Sequence, residues 1–222
     1  MAHFVEHSLR EYDHLHVLNF SNAFVTEITS EHQTFFTQTL GLLRKNLLEL
    51  HHPRWLPSTP LLQSMLQIEM PRLRVLHLPK LQTTIQINCL VSDLPKYCPQ
   101  LQEIGFRIDD TTTALPIDSL FSKIESLTAL DLKFDVPKSL LVLNRDPEDL
   151  MGRPFNNKLL ITQGTYSKLR KFRCEFNHEG LFKAWVDMTL LIQFAKNLHC
   201  LEIKRKLQYK SLCGRMSWER GG

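Results

Sequence analysis

Apolar residues recur along the chain in a short pattern, apolar-x-x-apolar-x-apolar. Seven segments carry it: Leu15/Leu18/Phe20, Leu47/Leu50/His52, Leu73/Leu76/Leu78, Leu101/Ile104/Phe106, Leu127/Leu130/Leu132, Leu169/Phe172/Cys174 and Leu198/Leu201/Ile203. The last two apolar positions alternate with other residues, which is the period of a strand with one face buried. The second segment is the weakest, because His52 stands where the third apolar residue belongs. Successive first leucines are 32, 26, 28, 26, 42 and 29 residues apart.

A second register precedes each strand. Seven residues before the first leucine stand Leu40, Leu66, Leu94, Leu120 and Leu191, and three residues before it stand Tyr12, Met70, Cys98, Ile124, Tyr166 and Ala195. Offsets of three, four and seven share one helical face. The stripes Ile87/Leu90/Val91/Leu94 and Ile117/Leu120/Phe121/Ile124 show that face in full. Each unit therefore reads as a helix feeding directly into a strand.

A helix–strand unit cannot bury its apolar side alone, whereas stacked copies close a continuous interior. Most of the spacings lie near the upper end of the range of about 20–29 residues that marks leucine-rich repeats. The expected fold is α/β: a leucine-rich-repeat solenoid of about seven irregular repeats over residues 1–206, with a curved parallel sheet on the concave side and helices on the convex side. Asp109, Asp135 and Asn177 occupy the position where such repeats often carry a loop-bonding polar residue.

Three stretches depart from the repeat. The long spacing marks an insertion at about 137–165, apolar from Leu140 to Leu143 and then rich in turn residues. From Glu179 to Lys196 the pattern predicts one helix with a broad apolar face that includes Trp185, Met188 and Ile192. Residues 207–222 read as a polar, basic tail. No polar-faced cap is legible at either end, which suggests a piece of a longer architecture.

Composition narrows the function more than it defines it. Of the 222 residues 43% are hydrophobic and 23% charged, the balance of a chain that can bury a core. A net charge of +4 is too mild for a nucleic-acid binder. No apolar run approaches the ~18 residues of a membrane helix, and no secretory signal opens the chain. Five cysteines, an odd number without a C-x-x-C pair, read as reduced thiols in a cytoplasmic or nuclear protein.

Catalytic signatures are missing. There is no phosphate-binding glycine loop, dinucleotide fingerprint, H-E-x-x-H or nucleophile elbow, so neither an enzyme nor a cofactor is expected. His14, His16, His51 and His52 do not predict a metal site, because neighbouring residues of a strand point to opposite faces.

The outward strand positions carry the candidate chemistry. They hold Glu49 and His51, Val75 and His77, Glu103, Gly105 and Arg107, Ala129, Asp131 and Lys133, Lys171, Arg173 and Glu175, and Cys200, Glu202 and Lys204. The position after the third apolar residue changes from Ser21, Pro53 and Pro79 to Arg107, Lys133, Glu175 and Lys204. The later strands should thus present a mixed but net basic face, suited to an acidic or phosphorylated peptide. His51, His77, Arg107, Asp131, Lys133, Arg173 and Lys204 are the expected partner-binding residues. Two other readings stay open: an adaptor that binds through the 137–165 insertion, and an α/β hydrolase or transferase, for which no motif is present.

Leu94-x-x-x-Cys98-Pro99-x-Leu101-x-x-Ile104-x-Phe106 resembles the cysteine-containing repeat of F-box leucine-rich-repeat proteins, and Met70-Pro71-Arg72-Leu73-Arg74-Val75-Leu76-His77-Leu78 is a similar entry with Met for Cys. In that family the solenoid recruits substrates to a cullin-based ubiquitin ligase, and an F-box docks it to the ligase adaptor. The resemblance therefore implies a non-enzymatic interaction module for substrate recognition, with a cullin ligase adaptor as one partner. The first forty residues lack the proline-led apolar helical run of an F-box.

Overall fold

Every one of the seven apolar motifs becomes a strand. They are β1 (Val17–Asn19), β2 (Glu49–His51), β3 (Val75–His77), β4 (Glu103–Ile108), β5 (Ala129–Phe134), β6 (Lys171–Phe176) and β7 (Cys200–Arg205). Among the described residues, one helix lies between each of these strands and the next: α1 (Ser30–Leu43), α2 (Thr59–Leu66), α3 (Thr84–Tyr97), α4 (Ile117–Lys123), α5 (Gln163–Lys168) and α6 (Met188–Phe194). The architecture is α/β. The strands pair in chain order, β1 to β7 in parallel, and β8 (Arg215–Glu219) adds antiparallel to β7. This structure, a computed structural model, describes residues 14–20, 29–52, 59–78, 81, 84–108, 115, 117–134, 163–176, 186–205 and 215–219. Among them no helix is long and apolar enough to cross a membrane.

Two backbone bonds recur with the motif. The first leucine's N–H turns back on the residue three before it: Leu73 to Met70 O (3.1 Å), Leu101 to Cys98 O (3.2 Å), Leu127 to Ile124 O (3.2 Å), Leu169 to Tyr166 O (3.3 Å) and Leu198 to Ala195 O (3.1 Å). The next residue then opens the sheet. Its N–H donates to the equivalent carbonyl one repeat earlier: Leu48 to His16, Arg74 to Leu48, Gln102 to Arg74, Arg170 to Thr128 and His199 to Arg170, each at 2.8 Å. Side chains at this entry add further bonds. Ser126 Oγ donates to Leu101 O at 2.8 Å and to Pro99 O at 3.1 Å.

The chain divides into two compact units, residues 1–104 with 123–127, and residues 105–122 with 128–222. In the first unit β1, β2 and β3 share one register, Leu18 beside Leu50 and Leu50 beside Leu76. Leu40, Leu50, Leu66, Leu76 and Leu94 are completely buried there. Each such side chain contributes ~1.5–3 kcal/mol of hydrophobic stabilisation relative to exposure. His52, at the weak third position, is buried all the same, its ring 5.0 Å from that of Phe36 in an edge contact. Phe36 meets Phe20 in the same way at 5.3 Å. An aromatic body thus fills the place of an aliphatic one.

Helix ends in both units receive donors from the repeat that follows. Pro95 in the last turn of α3 has no N–H to offer Val91 O, and Lys123 Nζ reaches that carbonyl at 3.5 Å. Lys168 Nζ donates to Phe121 O near the end of α4 at 2.6 Å, and Asn197 Nδ2 donates to Ser167 O of α5 at 3.2 Å. Terminal helix carbonyls lack intrahelical partners, so each of these donors fills a vacancy that helix geometry creates.

In the second unit β5, β6 and β7 run in full six-residue register. The expected helix from Glu179 to Lys196 is corrected here. Val186 and Asp187 are not helical, and α6 begins at Met188. The Asp187 carboxylate accepts from Thr189 N (2.9 Å) and Leu190 N (3.1 Å), taking N–H groups that a helix arriving from upstream would have bound to its own carbonyls. Ile192, placed by sequence on the apolar face, is 77% exposed. Residues 177–185 lie outside the described part.

The expected insertion at 137–165 also lies outside it as far as residue 162. Its last three residues open α5, where the Thr165 hydroxyl donates to the Asp118 carboxylate. The stretch read as a polar tail contains β8, which pairs Leu201 with Trp218 and Ile203 with Met216. Arg215-Met-Ser-Trp-Glu alternates with period two, which suffices for a strand although it lies outside the repeat.

Candidate functional site

The strand positions that alternate with the buried leucines gather polar side chains. In the first unit the register sets Asn19 beside His51 and His51 beside His77. The two imidazoles meet edge to face, centroids 4.4 Å apart and planes at 75°. His77 Nε2 lies 3.1 Å from Glu103 Oε1, and His51 Nε2 lies 3.4 Å from Glu49 Oε2. An ionised carboxylate only accepts, so each of these bonds places the ring proton on Nε2. Side-chain exposure is 16% for His77 and 8% for Glu103, against 42% for Glu49. His77 and Glu103 are therefore the drier pair, and their mutual bond compensates the carboxylate's burial.

In the second unit the register brings Asp131, Arg173 and Glu202 into one row, and Lys133, Glu175 and Lys204 into the row beside it. Charge sign alternates along each row and between the rows. Arg173 Nε stands 3.3 Å from Glu202 Oε2, Lys204 Nζ 2.9 Å from Glu202 Oε1, and Lys133 Nζ 3.8 Å from Asp131 Oδ2. Arg107, half-buried in β4, is engaged as well. The sequence predicted a mixed but net basic face. The geometry adds how the charges are arranged: Lys133, Arg173 and Lys204 each have a carboxylate within 4 Å, so the two signs form an alternating lattice. Arg173 and Lys204 are more than a third exposed, and each such pair is worth only ~0.2–1 kcal/mol. They can exchange partners at small cost.

One correction concerns exposure. Glu103 and Asp131 take outward positions, yet each is only 6% exposed, and β4 and β5 are buried on both faces except at Arg107 and Lys133. β6 keeps the expected alternation of buried and half-buried residues. Alternation fixes direction, not what covers the side chain. Of the expected site residues, the structure sets His51 against His77, and Asp131, Lys133, Arg173 and Lys204 in one lattice. The carboxylates of Glu49, Glu103, Glu175 and Glu202 were not among them. Aligning the repeats in columns was the signal that could have found Glu175 and Glu202, which stand in the same two outward columns as the chosen residues, whereas Glu49 and Glu103 stand in the outward column two residues earlier.

The thiols beneath these faces are unreactive. Burial pushes the Cys98 thiol up to about 12. Cys174 is raised further, first by burial and then by the charges of Asp131 and Glu175. Neither suits nucleophilic chemistry, which needs a thiolate.

Compared with protein-family models, with curated proteins and with solved structures, the chain has no significant match.

Proposed function

We propose that the chain is a leucine-rich-repeat solenoid acting as a protein-interaction module, with the outward strand face as its binding surface. The observation that carries this reading is the recurrence of one backbone bond, first-leucine-plus-one N–H to the equivalent carbonyl a repeat earlier, at 2.8 Å in five places. Such translation of one unit is what a solenoid requires, and it lines up outward side chains in rows. The partner is a protein surface of mixed charge. Each cation of the second unit's lattice already has a carboxylate, so a partner gains most by matching the alternation. A uniformly acidic peptide would meet Asp131, Glu175 and Glu202 as like charges.

Substrate recruitment to a cullin-type ubiquitin ligase is the use that the family resemblance implies for such a surface. The test is affinity capture from cells with the full chain and with a variant carrying Arg107→Glu, Lys133→Glu and Arg173→Glu. Captured partners should be lost from the variant while its circular dichroism matches the parent. Unchanged capture overturns the surface. Recovery of a cullin adaptor with the parent chain would extend the reading to ubiquitination. Loss of capture only on deletion of residues 140–163 would move binding to the insertion.

A further inference from the structure

We propose that the strand-entry edge of the first unit binds a short acidic peptide segment of a partner protein, through Arg44, Lys45, Arg72 and Arg74. Parallel strands are all entered from one edge, so the connections that follow α1, α2, α3 and α4 lie side by side. Hydrogen bonds tie each to its neighbour. Arg74 N donates to Leu48 O and Gln102 N to Arg74 O, both at 2.8 Å, and Ser126 Oγ donates to Leu101 O at 2.8 Å. The last turns of these helices and the connections after them carry six cations, Arg44, Lys45, Arg72, Arg74, Lys96 and Lys123, against the carboxylates of Glu69 and Glu125 alone. All eight are exposed. The surplus equals the +4 of the entire chain, gathered on one edge.

Helix C-termini attract cations of themselves, and that accounts for Lys96 and Lys123, which stand in last turns. Lys123 also donates to Val91 O, and Lys96 lies 4.9 Å from the centroid of the Tyr97 ring. It does not account for Arg72 and Arg74. Helix α2 ends at Leu66, and the dipole acts only within the last turn. Among the described residues Arg44, Lys45, Arg72 and Arg74 have no carboxylate partner, whereas Lys133, Arg173 and Lys204 of the strand face each have one. An anionic group can therefore pair at the edge without displacing a carboxylate. Guanidinium forks take a carboxylate through two parallel bonds. Three strand spacings separate the first connection from the last, ~15 Å in all, which an extended peptide of about five residues covers. Glu69 and Glu125 interrupt the cations, which suits separate carboxylates and opposes the unbroken charge of a nucleic-acid backbone. The edge is distinct from the outward strand face and does not rest on that reading.

The test is the fluorescence anisotropy of a labelled pentaglutamate peptide titrated with the full chain at about 0.1 M salt, where the screening length is ~10 Å. Arg72→Glu combined with Arg74→Glu should weaken binding roughly tenfold or more, because both residues pass from attracting carboxylates to repelling them. Lys196→Glu combined with Arg205→Glu changes the net charge equally, on exposed residues of the second unit, and should shift binding less than about twofold. Raising the salt to about 1 M, where the screening length is ~3 Å, should abolish binding. No anisotropy change at the lower salt, equal weakening by the two double variants, or tighter binding of labelled oligothymidylate or of phosphatidylserine vesicles than of the peptide overturns the proposal. Should the Arg72 and Arg74 variant lose its circular dichroism, Arg72→Gln with Arg74→Gln decides: weakened binding upholds the edge, and unchanged binding overturns it.

Discussion

Arg173 and Glu202 sit side by side on β6 and β7, Nε 3.3 Å from Oε2, and Lys204 closes on the same carboxylate at 2.9 Å. Glu202 thus holds two cations with a side chain that is only 13% exposed. Glu202→Gln should lower stability by about 1 kcal/mol in urea unfolding at low salt. At 1 M salt, where the screening length is ~3 Å, the difference should shrink to near zero. A penalty unmoved by salt would mean that packing, not charge, sets the role of Glu202.

Phe36 joins Phe20 to His52 through two edge contacts and is itself buried. Phe36→Ala should cost ~3–5 kcal/mol, because it opens a cavity and leaves both neighbours without their ring contact. Phe36→Leu should cost clearly less. Equal losses for the two in thermal unfolding would show that the ring's shape, rather than filled volume, is what the site needs.

Burial holds the Cys98 thiol at about 12, against an ordinary 9.0, so the folded chain keeps this proton where the unfolded chain releases it. Its contribution to stability is complete below pH ~9 and is lost as pH rises from there towards 12. Cys174 is raised in the same sense. Alkylation of the native chain at pH 8, mapped by mass spectrometry, should therefore mark the half-buried Cys89 and Cys200 and spare Cys98 and Cys174. Labelling of Cys98 at the rate of Cys89 would contradict its burial.

Asp187 holds the first turn of α6 through two N–H groups. Asp187→Ala should cost about 1 kcal/mol, and Asp187→Asn, which keeps an acceptor, a few tenths. Hydrogen exchange at Thr189 and Leu190 is the direct readout. No acceleration in the alanine variant would mean that the helix starts without its cap.

The seven parallel strands were legible because Leu73, Leu101, Leu127 and their equivalents announce themselves at a fixed offset from the helix stripe that precedes them. β8 was not, since Arg215-Met-Ser-Trp-Glu shows only two alternations and borrows its pairing from β7. The start of α6 was hidden for a local reason: Asp187 sits inside a run of apolar residues that looks helical throughout, and only its side-chain bonds reveal the break. For the candidate site, the sequence pointed to His51 and His77 and to the cations of β5, β6 and β7. It could not show that Glu202 lies between Arg173 and Lys204, because that depends on register between strands 29 residues apart in first leucines. The covering of Glu103 and Asp131 was out of reach altogether, as a two-residue period gives a direction and no neighbour.

The bonds from Lys123 to Val91, from Lys168 to Phe121 and from Asn197 to Ser167 all run backwards along the chain. The end of α3 is held from both sides: Val91 O accepts from Lys123 of the repeat after it, and Tyr97 O accepts from Met70 N of the repeat before it at 2.9 Å. Melting of either neighbour therefore strips this helix of one tether and leaves the other in place, so a helix inside the stack outlasts the loss of one flank.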